Sequence, residues 1–181
     1  MERKSSFTKK ELIDSSLGKL FGEDKGRLPM PPMLMIDRIL HISDKGGKYG
    51  KGEIKAELDI KKSLWFFDCH FKGDPVMPGC LGLDGFWQLI GFFLTWLGGD
   101  GRGRALGVKD LKFKGQVRPY HEKIIYKIDI KKFITRPTYM AWCDAVLEVK
   151  DKAIYFAKDL QVGLFEGLTW DHGKDPALDP F

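Results

Sequence analysis

Residues 85–99 read GFWQLIGFFLTWLGG, a segment that is apolar almost throughout and is interrupted by Gln88. A helix that crosses a bilayer needs about 20 apolar residues, so this segment is too short for that role. A helix that is apolar on all sides in a water-soluble protein has to be surrounded by other elements. We therefore predict one central helix that is buried in the core.

Runs of alternating apolar and polar residues on both sides of this segment predict strands, because successive side chains of a strand point to opposite faces. The runs are 34–42, 53–60, 111–117, 124–130, 139–149 and 154–164. In the first run the apolar residues lie at even positions, and Asp151-Lys152 is the predicted turn between the last two. This order predicts an α+β fold with a largely antiparallel sheet curled around the helix. We expect the free edge of the sheet to pair with a second copy.

The two ends of the chain lie outside this pattern. Thr8 and Glu11 have the T-x-x-E spacing of a capping box, which predicts an N-terminal helix before Gly22. The last segment, EGLTWDHGKDPALDPF, contains two prolines and predicts mostly irregular structure. We therefore expect one domain at residues 1–165 and a tail at residues 166–181.

Composition and charge narrow the class of protein. Of 181 residues, 43% are hydrophobic, which is enough to bury a core and too much for a disordered chain. Three cysteines cannot all pair, and the charged start MERKSSFTKK lacks the apolar stretch of a secretory signal, so we expect a soluble cytoplasmic protein. A net charge of +5 could attract nucleic acid, an anionic membrane or an acidic protein. The basic residues do not form a recognition helix interleaved with aromatics, which argues against nucleic acid.

The candidate site lies in WFFDCHFKGDPVMPGCLGLDGFWQ, residues 65–88. Pro78 predicts a helix start at Gly79, because the first helical turn tolerates a missing amide hydrogen. The amides of Gly79 and Cys80 would then be unpaired at the positive end of the helix dipole. Amides in this position can stabilise a developing oxyanion.

His70 and Asp84 are the acid–base candidates of this stretch that have apolar neighbours on both sides. An imidazole and a carboxylic acid can act as base and acid near pH 7. Gln88 follows Asp84 by four residues, so it lies on the same helix face and could hydrogen-bond to it. Each residue alone also has a plainer interpretation, as a packed histidine or as a carboxylate near a helix start. A nucleophilic pair of Cys80 and His70 is a further alternative.

We do not predict a metal or a nucleotide cofactor. The remaining histidines, His41, His121 and His172, lack the H-x-x-H or C-x-x-C companions of metal sites. The sequence also lacks a Walker-type phosphate loop and a G-x-G-x-x-G motif after a strand.

The stretch HFKGDPVMPGCLGLD, residues 70–84, closely resembles the signature of the bacterial 3-hydroxydecanoyl-(acyl-carrier-protein) dehydratase/isomerase family, the β-hydroxyacyl thioester dehydratases. The resemblance continues in MLMIDRI at 33–39, in WQLIGFFLTWLGGDGRGRALGV at 87–108 and in DLQVGLF at 159–165. It covers roughly residues 5–165, and a match of this length is far more specific than a short motif.

The resemblance implies a hot-dog fold, in which a curled antiparallel sheet wraps one long apolar central helix. It also implies a homodimer whose sheets join edge to edge. His70 of one chain would face Asp84 of the other in a tunnel at the dimer interface. The supporting positions of the site would be Val76, Gly79, Cys80 and Gln88.

The activity implied by the resemblance is dehydration of a 3-hydroxydecanoyl thioester on acyl carrier protein to the trans-2-enoyl thioester, followed by isomerisation to the cis-3-enoyl form, in unsaturated fatty-acid biosynthesis. His70 would take the C2 proton and Asp84 would protonate the departing hydroxyl. The Gly79 amide would stabilise the thioester oxygen, and the carbonyl of Val76 would orient the histidine. Aspartate at position 84 favours the bifunctional enzymes over dehydratase-only relatives, which generally have glutamate there. The basic body of the chain suits an acidic carrier protein.

Three alternatives share the fold, so the fold itself does not separate them. They are a dehydratase without isomerase activity, a hot-dog acyl thioesterase with a carboxylate base, and a lipid- or carrier-binding module without chemistry. Thioesterases of this fold usually lack an essential histidine at the position of His70. A module without chemistry has no chemical need for His70, Gly79 and Asp84 together.

Overall fold

The computed structural model describes residues 3–167, which form three helices and seven strands. The helices are α1 (Lys9–Ser16), α2 (Phe66–Cys69) and α3 (Gly79–Trp96). The strands are β1 (Arg38–Ser43), β2 (Glu53–Asp59), β3 (Arg102–Gly107), β4 (Asp110–Phe113), β5 (Lys123–Ile134), β6 (Tyr139–Val149) and β7 (Lys152–Phe165). The predicted tail, 166–181, lies outside the described residues except for its first two positions.

The seven strands form one antiparallel sheet in the order β1-β2-β5-β6-β7-β3. Strand β3 pairs with the second half of β7, and β4 pairs with the first half. Strands β3 and β4 therefore follow one another along the same edge of the sheet. This antiparallel sheet and the helix that it accompanies confirm the predicted α+β class.

Helix α3 packs against β3, β5, β6 and β7. Its fully buried apolar side chains are Phe86, Leu89, Ile90, Phe93 and Leu94. Burying a side chain of this size stabilises a fold by about 1.5–3 kcal/mol relative to leaving it exposed. The prediction of one central helix surrounded by a sheet is confirmed. No helix among residues 3–167 is long and apolar enough to cross a membrane.

Two details of the strand prediction are wrong. A bulge after Ile39 shifts the register of β1, so Ile39 is buried while Leu40, at an even position, is 40% exposed. The run 111–117 is not one strand, because β4 ends at Phe113 and Val117 is buried outside any strand. Alternation in the sequence does not reveal where a strand bulges or ends early.

The turn between β6 and β7 lies one residue before the predicted position. Lys150 and Asp151 have φ values of 49° and 61°. Positive φ at both central residues is the geometry of a two-residue type I′ hairpin. Lys152 already belongs to β7.

Helix α1 has the predicted capping box. The Thr8 hydroxyl accepts from the Glu11 amide, and the Thr8 amide donates to the Glu11 carboxylate at 2.9 Å. Hydrogen bonds from Lys4 and from Thr8 lower the pKa of Glu11 to about 2. The helix ends at Ser16, and the chain continues through turns to Phe21.

Candidate functional site

Helix α3 begins at Gly79, directly after Pro78 as predicted, and no side chain in the described part of the chain caps it. The amides of Gly79 and Cys80 donate no hydrogen bond within residues 3–167, which is expected in the first turn of a helix. These two donors therefore remain free at the positive end of the helix dipole.

The ring of Phe113 lies against Gly79. A Cβ placed on this glycine would be 3.0 Å from Phe113 Cζ, so the backbone and the ring are in close contact. The ring also packs edge-on against Tyr155, with 4.6 Å between the ring centroids. Phe113 is 50% exposed, whereas the alternating pattern predicted an inward side chain. Sequence reasoning therefore missed the aromatic neighbour of the candidate oxyanion site.

His70 directly follows α2 and is half-buried. Its Nδ1 atom is 2.8 Å from the carbonyl oxygen of Val76. A carbonyl only accepts hydrogen bonds, so this contact assigns a hydrogen to Nδ1, and in the neutral imidazole the lone pair is then on Nε2. The ring therefore has the orientation and the tautomer that a base acting through Nε2 requires.

The loop between His70 and Met77 closes on itself through backbone hydrogen bonds. The amide of Val76 donates to the carbonyl of His70 at 2.7 Å. Phe71 and Asp74 exchange amide-to-carbonyl hydrogen bonds, each of 3.0 Å. The Met77 amide donates to the carbonyl of Val117, which ties the end of the loop to the core.

Asp84 lies on α3, in the turn after the helix start, and receives the hydrogen bond predicted from Gln88. The distance between Gln88 Nε2 and Asp84 Oδ2 is 2.5 Å. Gln88 Nε2 also donates to the Met33 carbonyl at 2.8 Å, and its Oε1 accepts from the Met35 amide at 3.0 Å. These contacts fix the orientation of the buried amide, which in turn orients the carboxylate of Asp84.

A cleft of about 420 Å³ lies along α3. This volume is in the range of about 300–1,000 Å³ that is typical of ligand pockets. One wall is a single face of α3 that extends from Asp84 and Gln88 to Thr95. Further lining residues are Arg27, Leu28, Met33, Gly103, Arg104, Ala105, Val162 and Leu164.

One chain does not bring all of the predicted residues together. Asp84 and Gln88 line the cleft, whereas His70 is not among the lining residues. Within residues 3–167, no hydrogen bond joins His70 to Asp84 or to Cys80. The single chain therefore forms neither a histidine–aspartate pair nor the alternative Cys80–His70 nucleophilic pair.

The three cysteines are free thiols. Cys69 and Cys80 are exposed, and Cys143 is buried, which raises the pKa of its thiol. In the described part of the chain, no group of three or more metal-ligating side chains lies close enough together to hold a metal ion.

Two buried donors beside the site were also missed by sequence reasoning. Trp87 Nε1 and the Tyr126 hydroxyl are buried and have no hydrogen-bond partner among residues 3–167. In the alternating run 124–130, Tyr126 is at an even position, like the other residues predicted to point inward. The sequence therefore indicated that its side chain enters the core. Trp87 lies within the apolar helix, where the sequence does not show which way the indole nitrogen points.

Comparison of the sequence with protein-family models, and of the fold with solved structures, shows to which family the chain belongs. The sequence matches the FabA-like domain over residues 28–158. The dehydratase heterocomplex ApeI:P from Xenorhabdus doucetiae aligns with a TM-score of 0.60 and 11% identity, over 76% of this chain and 87% of that chain. Cj0977, a sigma28-regulated virulence protein from Campylobacter jejuni, aligns with a TM-score of 0.52 and 12% identity, over 76% and 81%. Together with the sheet topology, these matches confirm the hot-dog fold.

Proposed function

Because this chain belongs to the FabA-like domain family, we propose that it dehydrates 3-hydroxyacyl thioesters, of which 3-hydroxydecanoyl-(acyl carrier protein) is the expected substrate. The observation that supports this most strongly is the hydrogen bond of 2.8 Å between His70 Nδ1 and the Val76 carbonyl. It leaves Nε2 as the basic atom, and proton abstraction next to a thioester carbonyl needs such a base.

The reaction needs a base at C2 and an acid at C3. His70 Nε2 takes the C2 proton, and the electron pair of that bond becomes the C2–C3 double bond as the C3–O bond breaks. Asp84, in its protonated form, gives its proton to the departing hydroxyl, which leaves as water. Return of the proton from the imidazolium to the carboxylate through solvent restores both groups.

The thioester oxygen gains negative charge while the C2 proton is removed. The free amides of Gly79 and Cys80 are suited to stabilise this charge, because they are donors at a helix N-terminus. Glycine at position 79 leaves room for the ring of Phe113, because a Cβ there would be 3.0 Å from Phe113 Cζ.

We propose that the complete site forms between two chains. His70 is absent from the cleft that Asp84 lines, so a second copy would supply the missing histidine. Among residues 3–167, strand β3 lies at the edge of the sheet beside β7, and its residues 103–106 are exposed. A strand at the edge of a sheet can hydrogen-bond to the same strand of a second chain.

Isomerisation to the cis-3-enoyl thioester is the second step that we propose. The same His70 would move a proton from C4 to C2, which needs no further group. Asp84, rather than glutamate, is the sequence feature that supports this step. An acidic carrier protein as substrate donor agrees with the net charge of +5, and unsaturated fatty-acid synthesis in the cytoplasm is the corresponding setting.

Product analysis tests the proposal. The purified protein would be incubated with a 3-hydroxydecanoyl thioester, and the trans-2-enoyl, cis-3-enoyl and free-acid products would be separated by chromatography. Both enoyl products are expected. The trans-2 product alone would limit the activity to dehydration, free acid would indicate a thioesterase, and no product from a folded dimer would contradict the enzymatic proposal.

Mixing two inactive variants tests the shared site. If each site takes His70 from one chain and Asp84 from the other, a dimer of one His70→Ala chain and one Asp84→Asn chain has one intact site. After subunit exchange at equal concentrations we expect about a quarter of the wild-type activity, because about half of the dimers are mixed and each has one active site of two. No recovery in dimers shown to be mixed would contradict the shared site.

A further inference from the structure

The side chain of Arg118 binds the loop between His70 and Met77. The guanidinium of Arg118 donates to the Pro75 carbonyl at 3.0 Å, and it forms an ion pair with Asp74. It also donates to the side-chain oxygen of Gln116 at 2.6 Å. Arg118 lies in the segment between β4 and β5, so these contacts join two parts of the chain that are more than 40 residues apart in sequence.

The backbone of Arg118 is also held by hydrogen bonds. The amide of Arg118 donates to Nδ1 of His121 at 3.0 Å, and the amide of His121 donates back to the Arg118 carbonyl at 3.0 Å. The side chain of Arg118 is only 23% exposed. The arginine is therefore fixed at its backbone as well as at three acceptors of its guanidinium.

The residue next to Pro75 is the one that orients the imidazole. The Val76 carbonyl accepts from His70 Nδ1 at 2.8 Å. Because Arg118 holds the carbonyl of the preceding residue, it limits the rotation of the peptide plane that precedes Val76. The Met77 amide, bonded to the Val117 carbonyl, limits the loop on the other side.

We propose that Arg118 is a positioning residue, which holds the Val76 carbonyl against the Nδ1 hydrogen of His70. Its link to turnover rests on the proposed dehydratase function, whereas its effect on the imidazole does not. Arg118 Nη1 donates to both the Asp74 carboxylate and the Pro75 carbonyl, and Nη2 donates to Gln116. The single nitrogen of a lysine cannot reproduce this planar, two-nitrogen arrangement. Like His70, Arg118 is not among the residues that line the cleft of the single chain.

The test compares Arg118→Met, Arg118→Lys and a matched control, Arg3→Met. Arg3 also joins a carboxylate and a carbonyl, those of Asp44 and Leu97, and neither belongs to the loop of His70. A misplaced catalytic group can lower a rate steeply, so we expect Arg118→Met to reduce kcat by about 10-fold or more. KM should change by less than about twofold. Arg118→Lys should lie between, and Arg3→Met should match the wild type.

Nitrogen-15 NMR of the His70 imidazole gives a readout that needs no turnover. We expect Nδ1 to carry the hydrogen in the wild type and in Arg3→Met. In Arg118→Met the two tautomers should mix as in a free histidine, with partial recovery in Arg118→Lys.

These measurements separate the two proposals. A wild-type tautomer and a wild-type kcat in a folded Arg118→Met variant would overturn the positioning role. An equal loss of kcat in Arg3→Met would also overturn it, because the effect would then be general. If the wild type does not dehydrate the thioester, the proposed function fails, and the imidazole spectra alone decide the role of Arg118.

Discussion

The Tyr126 hydroxyl is a buried group that we expect to lower the stability of the fold. Tyr126 is completely buried, and its hydroxyl has no hydrogen-bond partner within residues 3–167. The oxygen packs against the backbone of α3, because a Cβ on Gly85 would be 2.5 Å from it. Burial raises the pKa of this phenol well above its usual value, so it remains a neutral donor.

The structure gives the size of the expected effect of Tyr126→Phe. A hydroxyl that is buried without a hydrogen bond costs about 1–3 kcal/mol in mutational data. Removing one oxygen leaves a void on the order of 10–15 Å³, which at about 24 cal/mol per Å³ costs about 0.3 kcal/mol. We therefore expect Tyr126→Phe to raise the free energy of unfolding by about 0.7–2.7 kcal/mol and Tm by about 1–11 °C.

Thermal and urea unfolding measure this change, and Tyr49→Phe is the matched control. The Tyr49 hydroxyl donates to the Asp144 carboxylate at 2.6 Å, and a hydrogen bond to a charged group is worth about 1.5–3 kcal/mol. Both variants lose one hydroxyl oxygen, but Tyr49→Phe should destabilise the protein whereas Tyr126→Phe should stabilise it. Both variants and the wild type need equal protein concentrations, since dimer formation would make Tm concentration-dependent.

A loss of stability in Tyr126→Phe of about 1 kcal/mol or more would refute this reasoning. It would mean that the hydroxyl has a partner worth about as much as a typical buried hydrogen bond, such as an enclosed water molecule. No change in either variant would show that neither hydroxyl matters to the folding equilibrium.

Three further predictions concern stability and activity. Gly82→Ala should lower Tm, because its Cβ would be 2.5 Å from a ring carbon of the buried Tyr155 and overpacking costs about 1–3 kcal/mol. Gly91→Ala is the control, because its Cβ would be 3.9 Å from the nearest atom. It should raise the free energy of unfolding by up to about 1 kcal/mol through the higher helix propensity of alanine. Burial, with nearby positive charges, lowers the pKa of His121, so the unfolded chain binds more protons near its ordinary value of about 6.5. The free energy of unfolding should therefore fall as pH decreases from about 7 towards 5.5. His121→Asn should reduce this dependence on pH. If urea unfolding gave the same dependence for the variant and the wild type, His121 would not be its source. Gln88→Leu should reduce both Tm and the rate of enoyl product formation. It removes the group that orients the candidate acid, and it leaves the buried Met35 amide and the part-buried Met33 carbonyl without their partner. Wild-type kinetics would exclude this role.

The sequence contained enough information for the class of fold because its decisive signals are local or periodic. The apolar segment 85–99 predicted the buried helix, since a helix without a polar face has to be enclosed. The T-x-x-E pattern at Thr8 predicted a capping box, and Pro78 predicted the start of α3. Each of these depends on residues within one or two turns of one another.

Part of the candidate site could be predicted for the same reason. Asp84 and Gln88 are one helical turn apart, so their hydrogen bond follows from helix geometry. The contact between His70 and Val76 came from resemblance to a family, because a loop of six residues has no fixed period from which to derive it. The further bonds of Gln88, to the backbone of Met33 and Met35, have no signal in the sequence.

The sequence by itself predicted the buried helix, the antiparallel sheet and part of the candidate site, namely the contact between Asp84 and Gln88. Only the tertiary structure decided that β1 is bulged at Ile39, that Phe113 covers Gly79, and that Arg118 holds the loop of His70. These features join segments that are far apart along the chain, and their geometry depends on how whole elements pack. The packing of distant elements is a property of the folded state, which no local pattern of residues encodes.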